Sequence, residues 1–235
     1  MDCVKLAASG TFTGEAETLI LVLDVSSSME DDDWFPSRLD GAKEASLALL
    51  EEKRRVRPDD FVGIVSFSSR ACLEQAPVNV VDDYQDLQDA IDGLYPKSST
   101  NMGAGLREAG RCFSAKDRHH GSNPRKGLLS RLTFRSVQRF VAMPRRLPKA
   151  KHIIHLSDGD HNGNIDPVRV AQRLKKNGVV ISCIGIGGSP EEVNEALMKR
   201  IASKGPGGKP RYWFIGQKAD LIQKFEELAT GLRAI

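Results

Sequence analysis

Two aspartates, three hydroxyl side chains and the glycines beside them are the groups in this sequence whose types and spacing could do chemistry. Asp24 opens the run Asp24, Val25, Ser26, Ser27, Ser28, Met29, and Asp158 sits between Ser157 and Gly159, with Asp160 next. Between them in the chain, Ser98, Ser99, Thr100, Asn101, Met102, Gly103, Ala104 and Gly105 form a third polar stretch. All the donors on offer are oxygen. A hard cation such as magnesium asks for an octahedron of oxygens at roughly 2.0–2.1 Å and keeps several of its waters. Ser26 and Ser28, two positions apart, can turn toward one point while Asp24 holds a bound water, and Thr100 and Asp158 can close the ring from other loops. With both carboxylates acting through water, the ion would keep much of its positive charge and seek an external anion.

Such residues need elements that end at the same place. Leu19, Ile20, Leu21, Val22 and Leu23 form an apolar run that stops at Asp24, as a strand buried on both faces would. Leu39, Ala42, Leu47, Leu49 and Leu50 recur near helical period and predict a long amphipathic helix over 37–56. Strands are predicted over 61–67 and 72–80; only residues 68–71 separate them, too few for a parallel crossover, so the second should pair antiparallel at a sheet edge. Helices follow at 86–94 and 103–114, then a strand over 151–157 that ends at Asp158. A helix over 167–177 with Gly178 as its stop signal, a strand over 179–186, a helix over 190–203, a strand over 211–215 and a helix over 220–232 complete the pattern. Strands alternating with helices indicate a doubly wound α/β sheet, whose ligand site lies beyond the carboxyl ends of the strands where strand order reverses.

The Asp24, Ser26, Ser28 pattern, the Thr100 loop with Gly103 and Gly105, and the Asp158–Gly159 turn resemble the metal-ion-dependent adhesion site, or MIDAS, of von Willebrand factor A domains. The resemblance runs from Leu19 to about Leu232 and fills all five expected positions. It implies a mostly parallel six-stranded sheet with one antiparallel edge strand and helices on both faces. It also implies Ser26, Ser28 and Thr100 as direct ligands, Asp24 and Asp158 acting mainly through water, Mg2+ as the ion with Mn2+ or Ca2+ as substitutes, and a partner's Asp or Glu as the last ligand. Intracellular relatives often work beside AAA+ ATPases of the MoxR type or in stress-response assemblies, so a partner of that kind is expected. The departure from the family pattern is a long basic segment at about 118–150.

Composition is consistent with one soluble domain over 19–235 after a lead-in at 1–18. No apolar run is long enough to span a bilayer, and the first residues lack a secretory pattern, so a monomeric, cytoplasmic domain is expected. Cys3, Cys72, Cys112 and Cys183 form no CxxC pair, which argues against zinc or a redox dithiol; isolated buried thiols are expected instead. The net charge of +3 is unevenly placed, with roughly ten basic residues against the single acid Asp117 between Lys116 and Lys151.

Competing readings attach to each feature. Ser26 to Ser28 could form only a serine-rich turn or a helix cap. Asp31, Asp32 and Asp33 read as a solvated acidic turn before Pro36, and Asp160, His161 and Asn162 as exposed loop outside the site. In the basic segment, Leu129, Leu132, Val137, Phe140 and Val141 interleave with Arg131, Arg135 and Arg139, which predicts an amphipathic helix with an arginine face. That face could be solvated, dock an acidic protein, or bind nucleic acid; the last is disfavoured, since only Phe134 and Phe140 could stack on bases. An aspartate at the end of a first parallel strand could also be a nucleophile, as in Mg-dependent phosphotransferases of the haloacid dehalogenase type. That family's DxD pattern has Ser26 in place of its second carboxylate here, so the general acid/base is missing and no enzyme is expected.

Overall fold

The computed structural model describes residues 15–97, 99–113, 147–159 and 161–230. Six strands form one sheet: β1 (Glu17–Asp24), β2 (Phe61–Phe67), β3 (Ala71–Asn79), β4 (Ala150–Ser157), β5 (Val179–Ile186) and β6 (Tyr212–Ile215), in the spatial order β3-β2-β1-β4-β5-β6. All neighbours are parallel except β2 and β3. The three residues 68–70 between these two allow only a hairpin, as their spacing requires.

Strand order reverses between β1 and β4. From β1 the chain winds outward through β2 to β3, and from β4 it winds the other way through β5 to β6. A crevice between loops must open where two neighbouring strands send their chains in opposite directions. The two strands at this point are the ones that end in Asp24 and lead into Asp158.

Alternate residues of each strand feed two cores. Leu19, Leu21, Leu23, Ile154 and Leu156 pack against α1 (Arg38–Val56), α2 (Tyr84–Asp92) and α6 (Lys218–Ala229). Ile20, Val22, Ile153 and Cys183 pack against α3 (Met102–Cys112), α4 (Pro167–Lys176) and α5 (Glu195–Ile201). Residues 19 to 23 are all 0 % exposed, which is why β1 reads as a continuous apolar run rather than an alternating one.

Two details differ from the sequence expectation. The helix expected over 190–203 is broken into a short 3-10 turn, Pro190–Glu192, and α5, because Asn194 caps the later helix by accepting the Leu197 N–H at 3.1 Å. Among the thiols, Cys112 and Cys183 are buried and free, but Cys72 is exposed on β3, the edge strand of the sheet. Cys3, Asp117 and the predicted arginine-faced helix lie outside the described residues, as does all of 118–146.

Candidate metal centre

Asp24 ends β1 on the face shared with Ile20 and Val22, and it is 0 % exposed. Both of its carboxylate oxygens are occupied. The Ser26 backbone N–H donates to Oδ1 at 2.8 Å, and the Ser157 hydroxyl, from the end of β4, donates to Oδ2 at 2.6 Å. These bonds fix the carboxylate across the boundary between β1 and β4. The chain then tightens into a 3-10 turn, Ser27–Glu30, with Ser26 at its cap position. The tight turn brings the Ser26 and Ser28 hydroxyl oxygens to 3.3 Å from each other.

The loop before α3 is held to the same edge of the sheet through its backbone. The Lys97 N–H donates to the Val25 carbonyl at 2.6 Å, and the Asn101 N–H to the Ser68 carbonyl at 2.8 Å. Thr100, 3 % exposed, is joined to the loop after β4: its N–H donates to Asn162 Oδ1 at 3.0 Å, and the Asn162 N–H donates to the Thr100 carbonyl at 3.1 Å. Asn101 caps α3 by accepting the Ala104 N–H at 3.1 Å. At Gly103 a Cβ would meet the Ile165 carbonyl oxygen at 2.1 Å, so only glycine lets the start of α3 press against that loop. After Asp158 the chain turns at Gly159 with φ +92°, a left-handed conformation that a side chain would strain, and a Cβ there would also meet the Asn194 nitrogen at 2.6 Å.

Asp158 is 5 % exposed and lies close enough to Asp24 for their charges to interact. Burial, and then the negative charge of Asp158, push the Asp24 carboxyl up to about 7, outweighing the hydrogen bonds from Ser157 and Ser26. The nearest positive charge among the described residues is Arg38, the first residue of α1. Its Nη1 lies 3.8 Å from Asp158 Oδ2 and 3.5 Å from Asp31 Oδ2. The other edge of the guanidinium is already taken: Nε and Nη2 each donate to Asp33 at 2.8 Å, and Nη2 also donates to Glu192 at 2.9 Å. One positive charge is thus shared among four carboxylates. Two buried acids under-compensated by protein charge, beside a pair of close hydroxyls, suit a small divalent cation, and the all-oxygen donor set suits a hard one.

The five residues singled out in the sequence therefore occupy one edge of the sheet at its switch point. Ser26 and Ser28 meet through their hydroxyls, Asp24 and Asp158 interact by charge, and Thr100 is tied by its backbone to the loop that follows Asp158. Three participants escaped the sequence reading. Asn162, expected to be free loop, ties the Ser99 and Thr100 loop to the one after β4, with the Ser99 hydroxyl also donating to its Oδ1 at 2.9 Å. Ser157 could have been suspected, since strand alternation puts it on the same face as Asp24. Arg38 follows the acidic turn closely enough to pair with Asp33, but its reach to Asp158 and to Glu192, 154 positions away, had no local signal. It also revises the acidic turn, since Asp31 and Asp33 pair with it rather than standing only in solvent.

A doubly wound sheet with this switch-point edge is the architecture of von Willebrand factor A domains. The family model described as von Willebrand factor type A domain matches residues 19–128. The chain is 29% identical over 200 residues to the uncharacterized protein YfbK of Escherichia coli, covering 82% of this chain and 28% of that protein. It is 30% identical over 175 residues to a UPF0353 protein of Mycolicibacterium paratuberculosis, covering 72% of this chain and 44% of that one. It therefore spans less than half the length of either relative. Among solved structures, it resembles a von Willebrand factor type A protein from Catenulispora acidiphila at 21% identity and TM-score 0.60, covering 92% of this chain and 42% of that one. It resembles BatB from Bacteroides thetaiotaomicron at 21% identity and TM-score 0.59, covering 92% of this chain and all 100% of that one. A mussel byssus matrix protein with zinc in its MIDAS motif matches at 19% identity and TM-score 0.59, over 92% of this chain and 45% of that one. These likenesses establish the fold. Domains of this family are generally protein-interaction modules rather than enzymes. No helix among the described residues is long and apolar enough to cross a membrane.

Proposed function

We propose that this domain binds a partner protein through a divalent cation, with Ser26, Ser28 and Thr100 as direct protein ligands and Asp24 and Asp158 holding the ion through water. The observation that carries this reading is the pair of hydroxyl oxygens 3.3 Å apart beside two buried, mutually repelling carboxylates. Bound there, a magnesium ion supplies a Lewis-acidic position for an external Asp or Glu; manganese or calcium could substitute. Asp24 orients this position rather than reacting, since both its oxygens already accept hydrogen bonds and it is 0 % exposed. The same two facts weigh against a phosphotransferase nucleophile at Asp24.

Titration calorimetry with Mg2+ or Mn2+ on the wild-type chain and on Asp24→Ala tests the site directly. Heat of binding is expected in the first and none in the second; equal heats in both would sink the reading. The partner we propose presents a carboxylate, and a MoxR-type AAA+ ATPase or a stress-response assembly in the cytoplasm is the first candidate. Capture from source-cell extract with and without chelator, repeated with Ser28→Ala, checks this. Such a partner should be lost under both treatments.

A further inference from the structure

Beside the proposed cation position, on the side of β2 and β3, lies a cleft of about 490 Å³ between the β2–β3 turn, the length of α3 from Ala104 to Arg111 and the loop at 164–165. Arg70, Arg107 and Arg111 line it, with Glu108, Asn101 and Asn164. Arg111 is engaged with Glu108 at 2.7 Å. Arg70 and Arg107 are exposed, and neither has an ion-pair or hydrogen-bond partner for its side chain among the described residues. The cleft therefore holds two uncommitted positive charges, and the amino-terminal end of α3 adds its partial positive charge. It adjoins the site directly: Asn101, in its wall, follows Thr100, and the Asn101 N–H is bonded to Ser68, two residues before Arg70.

The opposite flank has the other sign. Beyond β4, on the side of β5, stand Glu191 and Glu192, and Asp31 and Asp33 join Glu192 through Arg38. Strand order keeps the two flanks apart, since β2 and β3 lie on one side of the β1–β4 boundary and β5 and β6 on the other. A partner that brings one carboxylate to the boundary meets arginines in one direction and acids in the other.

We propose that the Arg70–Arg107 cleft is a second binding site, which takes the acidic residues of a partner peptide adjoining the carboxylate offered to the cation. The inference rests on the cation-dependent reading for the register of that peptide, but the cleft's charge is independent of it. The chemistry recognised is a short acidic segment, and the sign reversal across the site sets the direction in which it lies.

The test uses the whole chain and a fluorescein-labelled peptide in which one aspartate is followed by a run of glutamates, with a control in which lysines replace the glutamates. In Mg2+ the acidic peptide should bind and the lysine peptide should bind more weakly. Arg70→Glu with Arg107→Glu should weaken the acidic peptide by about tenfold or more while leaving the calorimetric Mg2+ isotherm unchanged. The single variant Arg107→Gln should show a smaller loss in the same direction. Added salt should weaken the wild-type complex through screening. No binding of the acidic peptide to wild type, or equal binding to the double variant, would overturn the proposal. Displacement of the peptide by an oligouridylate that binds more tightly would overturn it in favour of nucleic acid. Loss in the double variant with no effect of chelator or Asp24→Ala would uphold the cleft and remove the cation-dependent reading. Loss with chelator but not in the double variant would do the reverse.

Discussion

The two ends of the sheet each bury acids, and they treat them in opposite ways. At the amino end, Glu17 and Asp60 enclose Lys53, whose Nζ lies 2.8 Å from Glu17 Oε1 and 2.5 Å from Asp60 Oδ2, and Arg57 reaches Asp60 at 3.3 Å. Burial alone would raise the Glu17 carboxyl, but the His152 ring, 3.9 Å away, and the Lys53 ammonium outweigh it and hold it far below the usual carboxylate range. At the carboxyl end, Asp24 is equally buried but faces Asp158 instead of a lysine, and its carboxyl rises to about 7. Burial is common to both. What differs is counter-charge: two acids with two bases at one end, and at the other two acids next to an arginine already committed to Asp33 and Glu192. A closed network of this kind holds structure together, whereas an under-compensated pair stores repulsion that a cation can relieve.

Replacing one member at each end should expose the contrast most strongly. Lys53→Met leaves Glu17 and Asp60 buried without their ammonium and should cost about 3–5 kcal/mol in urea unfolding. Asp24→Asn, measured in chelator, should change stability by no more than about 1 kcal/mol, or increase it, because it removes a like-charge contact. Comparable large losses at both ends would erase the distinction. Cation binding should then act on one end only. At one hundred times the dissociation constant, Mg2+ should stabilise wild type by about 2.7 kcal/mol. Lys53→Met should keep that increment, and Asp158→Asn should lose it; thermal melts with and without Mg2+ give both.

The pH dependence sharpens the picture within the carboxyl half of the sheet. His155 is 0 % exposed and stacks on Phe67 with ring centroids 5.0 Å apart, and its ring nitrogens have no hydrogen-bond partner among the described residues. Burial, and then the His161 charge, lower it from 6.5 to about 3. The unfolded chain therefore binds a proton that the folded chain refuses. Stability from this residue is complete above pH 6.5 and falls as pH drops toward 3, by about 1.4 kcal/mol per unit. His155→Phe keeps the stacking surface and should remove this component, so the stability difference between variant and wild type should widen steadily below pH 6.5. A constant difference would show that the imidazole is not held neutral. The smallest effect is expected from Glu192→Gln, which removes one partner of Arg38 whose side chain is 48% exposed; a loss under about 1 kcal/mol in the same urea assay is expected.

Periodicity and punctuation make most of the fold legible in the sequence. The apolar run ending at Asp24, the short β2–β3 connection and the strand entering Asp158 sufficed for the mostly parallel sheet and its antiparallel edge. These are local signals, carried by neighbours in the chain. The break between the 3-10 turn and α5 was not legible, since Asn194 as a cap looks like any polar residue until its bond to the Leu197 N–H is seen. Nor was the exposure of Cys72, which sits on the edge strand β3.

By itself the sequence determined which atoms were available: oxygens from Asp24, Ser26, Ser28, Thr100 and Asp158, set at strand ends and loops where a doubly wound sheet gathers ligands. Only the tertiary structure decided their electrostatic state. Asn162 joining two loops, Ser157 anchoring Asp24, Arg38 reaching Asp158 and Glu192, and the arginine cleft beside Thr100 all join residues distant in the chain. The reason is physical: a side chain's type is written locally, but its charge compensation depends on what the fold brings within a few ångströms of it.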